Sequence, residues 1–136
     1  MSPRTDEEPH LRRYARYLLI AAFTAGGLGH FFATDFFVEI MPPYLPWHQQ
    51  LVWFSGGCEL LGACGLALPH WRCRAGVGLM LLTLAVFPAN IHMAIHAEQY
   101  SVFPLWALYA RLPLQVVVLA WIWWAAVRTP RTISTR

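Results

Sequence analysis

The sequence predicts an all-α membrane protein, a four-transmembrane-helix antiparallel bundle with both termini cytoplasmic. Three observations carry that reading. Of the 136 residues, 57% are hydrophobic and 12% charged, where soluble domains hold about 45–50% and about 25%. Four segments approach or exceed the roughly 20 apolar residues that a bilayer-crossing helix requires: Tyr14 to Ala33, Gln50 to Leu68, Ala75 to His96 and Leu105 to Val127. All ten basic residues are arginine, and they gather on alternate connections. The formal charge of +3 therefore reads as a topology signal and not as a nucleic-acid footprint; the expected partner is the lipid bilayer.

Residues 1–13, which run Ser-Pro-Arg-Thr-Asp-Glu-Glu-Pro after the first methionine, read as a disordered cytoplasmic tail. Arg12, Arg13 and Arg16 then precede the apolar run Tyr17 to Leu28, the order found in a secretory signal. The downstream chain is more membrane and not a mature domain, so the run is expected to be an uncleaved first span. Only helices close their own backbone hydrogen bonds in lipid, so all four spans, residues 14–127, are assigned as helices. Between the first and second, Pro42, Pro43 and Pro46 stiffen the segment Asp35 to Trp47, and Phe36, Phe37, Ile40, Tyr44 and Trp47 seat it at the interface, as a lid or as an anchor. Residues 128–136 close the chain as a second cytoplasmic tail.

Orientation comes from charge. Arginines precede the first span, fill the loop between the second and third (Arg72, Arg74), and succeed the fourth (Arg128, Arg131, Arg136); the other two loops carry Asp35, Glu39 and Glu98 and no arginine. The positive-inside rule puts both termini in the cytoplasm. Tryptophans agree: Trp47, Trp53 and Trp106 fall near the outer boundary, and Trp71, Trp121, Trp123 and Trp124 near the inner one. Short connections make neighbours antiparallel, and Gly26, Gly27, Gly56, Gly62, Gly65, Gly76 and Gly78 allow close helix contacts.

Within the spans the polar residues segregate to the outer half: His30, Glu59, Asn90, His92, Arg111 and Gln115. Glu59 and Arg111 stand out, because a charge at the bilayer centre costs about 2.5–3.5 kcal/mol on insertion scales. An outward-facing polar pocket lined by these six residues is the expected ligand site. Glu59 and Arg111 read either as a structural ion pair between two helices or as a proton-transfer or headgroup-binding couple. Asn90 and His92 point about 200° apart around their helix, so both cannot aim at one point. Pro88 and Pro113 each remove an N–H and free the carbonyl four residues earlier, at Leu84 and Tyr109. His92 and His96 have the one-turn spacing of a two-histidine metal site, with His30 at similar depth. The Glu-x-x-His pairs of di-iron bundles are missing, so no metal is assigned and the two remain bare candidates. Cys58, Cys64 and Cys73 form no Cys-x-x-Cys pair, against a zinc cage or a dithiol centre.

Five motifs in order, Gly27-Leu28-Gly29-His30-Phe31, Pro43-Tyr44-Leu45-Pro46, Ser55-Gly56-Gly57-Cys58-Glu59-Leu60, Phe87-Pro88-Ala89-Asn90 and Arg111-Leu112-Pro113-Leu114-Gln115, resemble the DoxX family of small four-helix bacterial membrane proteins. The resemblance implies a multipass protein of the bacterial inner membrane and a link to membrane-associated redox complexes, with His30, Glu59, Asn90, Arg111 and Gln115 as the family-like polar positions. It assigns no catalytic residue. The chain has no soluble redox domain, so any oxidoreductase role needs a partner subunit.

The expected function is thus a membrane subunit of a quinone-linked oxidoreductase, with a quinone as the ligand of the outer pocket. The alternative is a non-catalytic assembly or anchoring factor for a partner protein, in which the same residues hold the bundle. A solute or proton carrier is disfavoured because the inner half has no polar path. Nothing in the sequence sets an oligomeric state.

Overall fold

The computed structural model describes residues 9–101 and 103–128. Five α-helices form, α1 (His10–Phe32), α2 (Thr34–Glu39), α3 (His48–Ala67), α4 (Arg72–Ile95) and α5 (Leu105–Ile122). A 3₁₀ turn, Ala97–Gln99, succeeds α4, and a π-helical turn, Trp123–Val127, prolongs α5. The described residues contain no strand.

Helix starts run ahead of the apolar segments. α1 begins at His10, four residues before Tyr14, because Leu11 to Arg13 are good helix formers that need no apolar surroundings. Residues 1–8 of the expected tail, and residues 129–136 at the other end, lie outside the described residues. At its C-terminus α1 leaves carbonyls unpaired by the helix itself, and the Thr34 hydroxyl takes them up, donating to His30 O at 2.8 Å and to Phe31 O at 3.2 Å. α2 begins at once, with Asp35 in its first turn where the helix dipole favours a negative charge.

The turn from α2 to α3 is tight. Pro42 is fully buried, its carbonyl accepts from Leu45 N at 3.2 Å and from His48 Nε2 at 3.1 Å, and Trp47 is driven into the left-handed region (φ 52°, ψ 50°). A bulky residue there costs on the order of 1–2 kcal/mol. The surrounding turn holds it.

Among the described residues, two helices are long and apolar enough to cross a membrane: Arg72–Ile95 and Leu105–Val127. The 24 residues of α4 rise about 36 Å, more than the roughly 30 Å of a hydrocarbon core. α1 and α3, expected as spans in their own right, fall short of that test: arginines enter α1's first turns, His48, Gln49 and Gln50 open α3, and both carry several glycines.

Small residues set how the long helices meet. A Cβ on Gly27 would lie 3.0 Å from Gly56 O and one on Gly56 would lie 2.9 Å from Gly27 O, so α1 and α3 touch backbone to backbone. Gly62 and Gly65 admit Leu79 and Ala75 of α4, and Gly76 admits Ala126 and Val127 of the π turn. Along each seam the contacting numbers rise on one helix as they fall on the other. α3 packs on α1 and α4, and α4 on α3 and α5; the π turn closes back on α1, where the Arg12 guanidinium donates to the Arg128 carbonyl. α3 and α5 share no seam and lie across from each other.

Arg12, Arg72, Arg74 and Arg128 mark one end of the molecule, here the arginine end. The main core, Leu19, Leu66, Leu79, Ile122, Ala125 and Ala126, sits in that half. A smaller cluster, Met93, Tyr100 and Leu108 with Ile40, Ala97 and Phe103 against it, caps the far end. The polar residues lie between.

Candidate functional site

The six expected pocket residues take part in different side-chain contacts. They resolve into separate contacts, each fixed by which helices are neighbours.

The first joins α1 to α3. His30 Nδ1 donates to the Val52 carbonyl at 2.9 Å, its ring stacks on Phe37 with centroids 4.1 Å apart, and its Nε2 lies 3.7 Å from Glu59 Oε1. Because Nδ1 carries the proton given to a carbonyl, a neutral His30 turns a lone pair toward Glu59. Attraction between the two then requires a proton on Nε2 or on the carboxyl group. The other carboxyl oxygen lies over Gly26, where a Cβ would come within 2.6 Å of Glu59 Oε2. Glycine at 26 is what lets the acid sit there.

The second joins α4 to α5. Asn90 Nδ2 donates to Gln115 Oε1 at 2.7 Å, and Gln115 Nε2 donates to the Thr83 carbonyl. Thr83 turns its own hydroxyl back to Leu79 O at 2.8 Å. Gln115 is buried, with 6% of its surface exposed, so an unpaired amide there would be costly. Thr83, one residue before the Leu84 carbonyl that Pro88 frees, offers its own carbonyl to α5. Asn90, seven residues on and so on the same face, leans back toward it.

The third joins α5 to Met93 of α4 and to Phe103 beside the far-end cluster. Arg111 Nη1 is 3.3 Å from Met93 Sδ, and the guanidinium sits over the Phe103 ring, 5.2 Å from its centroid. Arg111 and Glu59 therefore do not form the expected ion pair. Their helices, α5 and α3, lie across the bundle and share no seam; Glu59 takes His30 instead.

His92 and His96 stack on each other, centroids 4.3 Å apart, and His96 Nδ1 donates to the His92 carbonyl at 3.1 Å. Tyr100 Oη lies 3.3 Å from His92 Nδ1, with Tyr44 edge-on to the same ring. Burial, with the nearby Tyr44 adding to it, pushes the Tyr100 phenol above its ordinary range, so it keeps its proton. Among the described residues no three His, Cys, Asp or Glu side chains group closely enough to hold a metal ion.

Sequence reasoning missed several participants. Arg16 is buried, with 3% exposed, although it reads as a topology signal; its spacing to Leu19 and Phe23 puts it on the core stripe, and that was the available clue. Counting back four from Pro88 finds Leu84 and not Thr83, whose carbonyl as a partner for Gln115 had no local signature. Met93 and Phe103 as partners for Arg111 had no local signature.

Fold and site together define an all-helical protein with two membrane-length helices and polar side chains spent on helix–helix contacts. The chain belongs to the family described as Domain of unknown function (DUF8561), which it matches over residues 19–126. No curated protein and no solved structure matches it. The DoxX resemblance is thereby overturned: the matching family is a different one, and the described residues form five α-helices, not four. The motifs that carried it have local causes. Gly27 and Gly56 are set by a backbone contact, Pro43 to Pro46 by a tight turn, and Asn90 and Gln115 by a bond to each other. Any small helical membrane protein meets such demands.

Proposed function

We propose that the chain is a multipass protein of the cytoplasmic membrane, crossing it four times as an antiparallel bundle with both termini inside, and that it serves as a non-catalytic assembly or anchoring factor for a partner protein. One observation carries the second half: the polar side chains bond within the bundle, in separate places. A catalytic pocket would aim them at one volume. The first half draws on the arginine distribution and on the exterior, where Phe32, Phe54, Leu61, Leu81, Leu114 and Val117 are all more than half exposed. A surface of that kind suits lipid and not water.

A second reading keeps one specific observation. His30 and Glu59 stand 3.7 Å apart, longer than a hydrogen bond, and a quinone carbonyl beside them would accept from a protonated Nε2 of His30 or from a protonated Glu59 carboxyl group. On that reading the chain supplies the membrane site of a redox partner that brings the electrons.

Two experiments test these readings. In a cysteine-free background, membrane-impermeant maleimide applied from outside should label Glu39→Cys and Glu98→Cys and miss Arg74→Cys; the reverse pattern overturns the orientation. Co-purification from mild detergent, read by mass spectrometry for proteins and lipids, should recover a protein partner in fixed ratio. Recovery of quinone instead, lost in His30→Ala and Glu59→Gln, would replace the first reading with the second.

A further inference from the structure

An open apolar groove of about 730 Å³ runs along the outside of the α3–α4 seam. Its floor is made shallow in side chains by the same residues that pull the helices together: Gly62 under Leu79 and Gly65 against Ala75, where a Cβ on Gly65 would fall 2.6 Å from that of Ala75. Its lining reaches from Phe54 on α3 to Leu68 just past that helix's end, fourteen residue steps or about 21 Å of helical rise. That length is of the order of one leaflet's half of the roughly 30 Å hydrocarbon core plus part of the interface.

The two ends differ. At the arginine end the groove terminates at Trp71 and Arg74, with the guanidinium 5.3 Å from the indole centroid. α4 begins there with Arg72 and Arg74 and has no acidic residue in its first turn, and its N-cap residue Trp71 makes no side-chain capping bond. The positive end of the helix dipole and the arginine charges thus point the same way, a placement that an anion from outside the chain would complement. The rest of the lining is apolar or small.

We infer that this groove binds one anionic phospholipid of the cytoplasmic leaflet, an acyl chain along Gly62 and Gly65 and the headgroup phosphate at Arg74. The charge at one end and the one-leaflet length single out a lipid over a second copy of this chain, which would need no anion. The inference rests on the proposed membrane placement. Its physical basis is the attraction of basic residues at the cytoplasmic boundary for anionic headgroups.

The test uses the full chain in mixed micelles of stated lipid, phosphatidylglycerol against phosphatidylcholine, with binding monitored by native mass spectrometry and by thermal shift. Wild type should prefer phosphatidylglycerol, and Arg74→Gln should lower that preference by about fivefold, the worth of one arginine near a membrane surface. Gly78→Leu should abolish it. Gly78 lines the groove, and a Cβ there meets nothing within 4 Å, so a leucine side chain starts into the open space of the groove. Equal affinity for the two lipids in all three proteins overturns the inference. So does efficient Cys64–Cys64 cross-linking in native membranes that Gly78→Leu prevents, since Cys64 lies exposed in the groove and a second copy would then be its occupant. Alkaline carbonate washing separates the two levels: a chain stripped from the membrane sinks both readings, whereas a retained chain without lipid preference sinks only this one.

Discussion

The two halves of the molecule solve the problem of holding helices together by different means. In the half nearer the arginine end, leucine, isoleucine and alanine side chains interlock at full burial: Leu66, Ile122 and Ala125 have no exposed surface, and glycines let the backbones approach. In the other half the same seams carry His30 with Glu59 and Asn90 with Gln115. On the proposed membrane placement, burial between helices yields little hydrophobic gain, so close packing and interhelical hydrogen bonds remain as the available attractions. The first half uses packing, which is tolerant of chemistry and sensitive to volume. The second adds bonds, which are sensitive to chemistry, to a Gly27–Gly56 backbone contact that is just as sensitive to volume.

That contrast makes graded predictions. The largest effect is expected in the packed half, where Leu79→Ala opens a hole against Gly62 and should cost roughly 2–5 kcal/mol. Thermal or denaturant unfolding in detergent reads it, and a loss under about 1 kcal/mol would mean the seam collapses freely and the packing is not specific. Next comes the bonded half. Gln115→Leu leaves the Asn90 amide and the Thr83 carbonyl without their partner and should cost about 1–3 kcal/mol, with part of that recovered by adding Asn90→Leu. Additive losses in that pair would show that the two amides do not bond.

Finer still are the coupling energies. A double-mutant cycle on His30→Ala and Glu59→Gln should give an interaction of about 0.5–3 kcal/mol, whereas the cycle on Glu59→Gln and Arg111→Met should be additive within about 0.5 kcal/mol, since those residues sit on helices that share no seam. Coupling in the second cycle and none in the first would reverse the helix arrangement itself. The smallest effect is expected at Gly26, where alanine would displace the Glu59 carboxyl group without touching the main core. Its stability loss should stay below about 1–3 kcal/mol, the usual range for overpacking, and should shrink in a Glu59→Gln background only if the longer-range His30 contact is what the acid provides.

Much of this was legible from the sequence for a simple reason: periodicity and charge are local properties. With the π turn counted in α5, the long helices start and stop within four residues of the apolar segments, because apolar runs and the breaks between them are written in consecutive residues. The separation of Asn90 from His92 comes from the helical angle alone, and the two do take different partners. Which residue on one helix meets which on another is not local. Depth and opposite charge match Glu59 to Arg111, but depth says nothing about azimuth. Around a bundle of four long helices each has two neighbours and one opposite, and α3 and α5 are opposites. The same gap hid the buried Arg16 and the thioether and ring that receive Arg111.

The sequence by itself therefore determined the helical class, the apolar segments, the end that gathers arginine and the small residues that permit close approach. Each of these is a sum over neighbouring residues. Only the tertiary structure decided the partners, His30 for Glu59, Gln115 for Asn90 and Met93 for Arg111, and with them the dispersal of the expected pocket into separate contacts. Those choices depend on the order of helices around the bundle, which glycine-sized differences at a few crossings select and which no single stretch of the chain encodes.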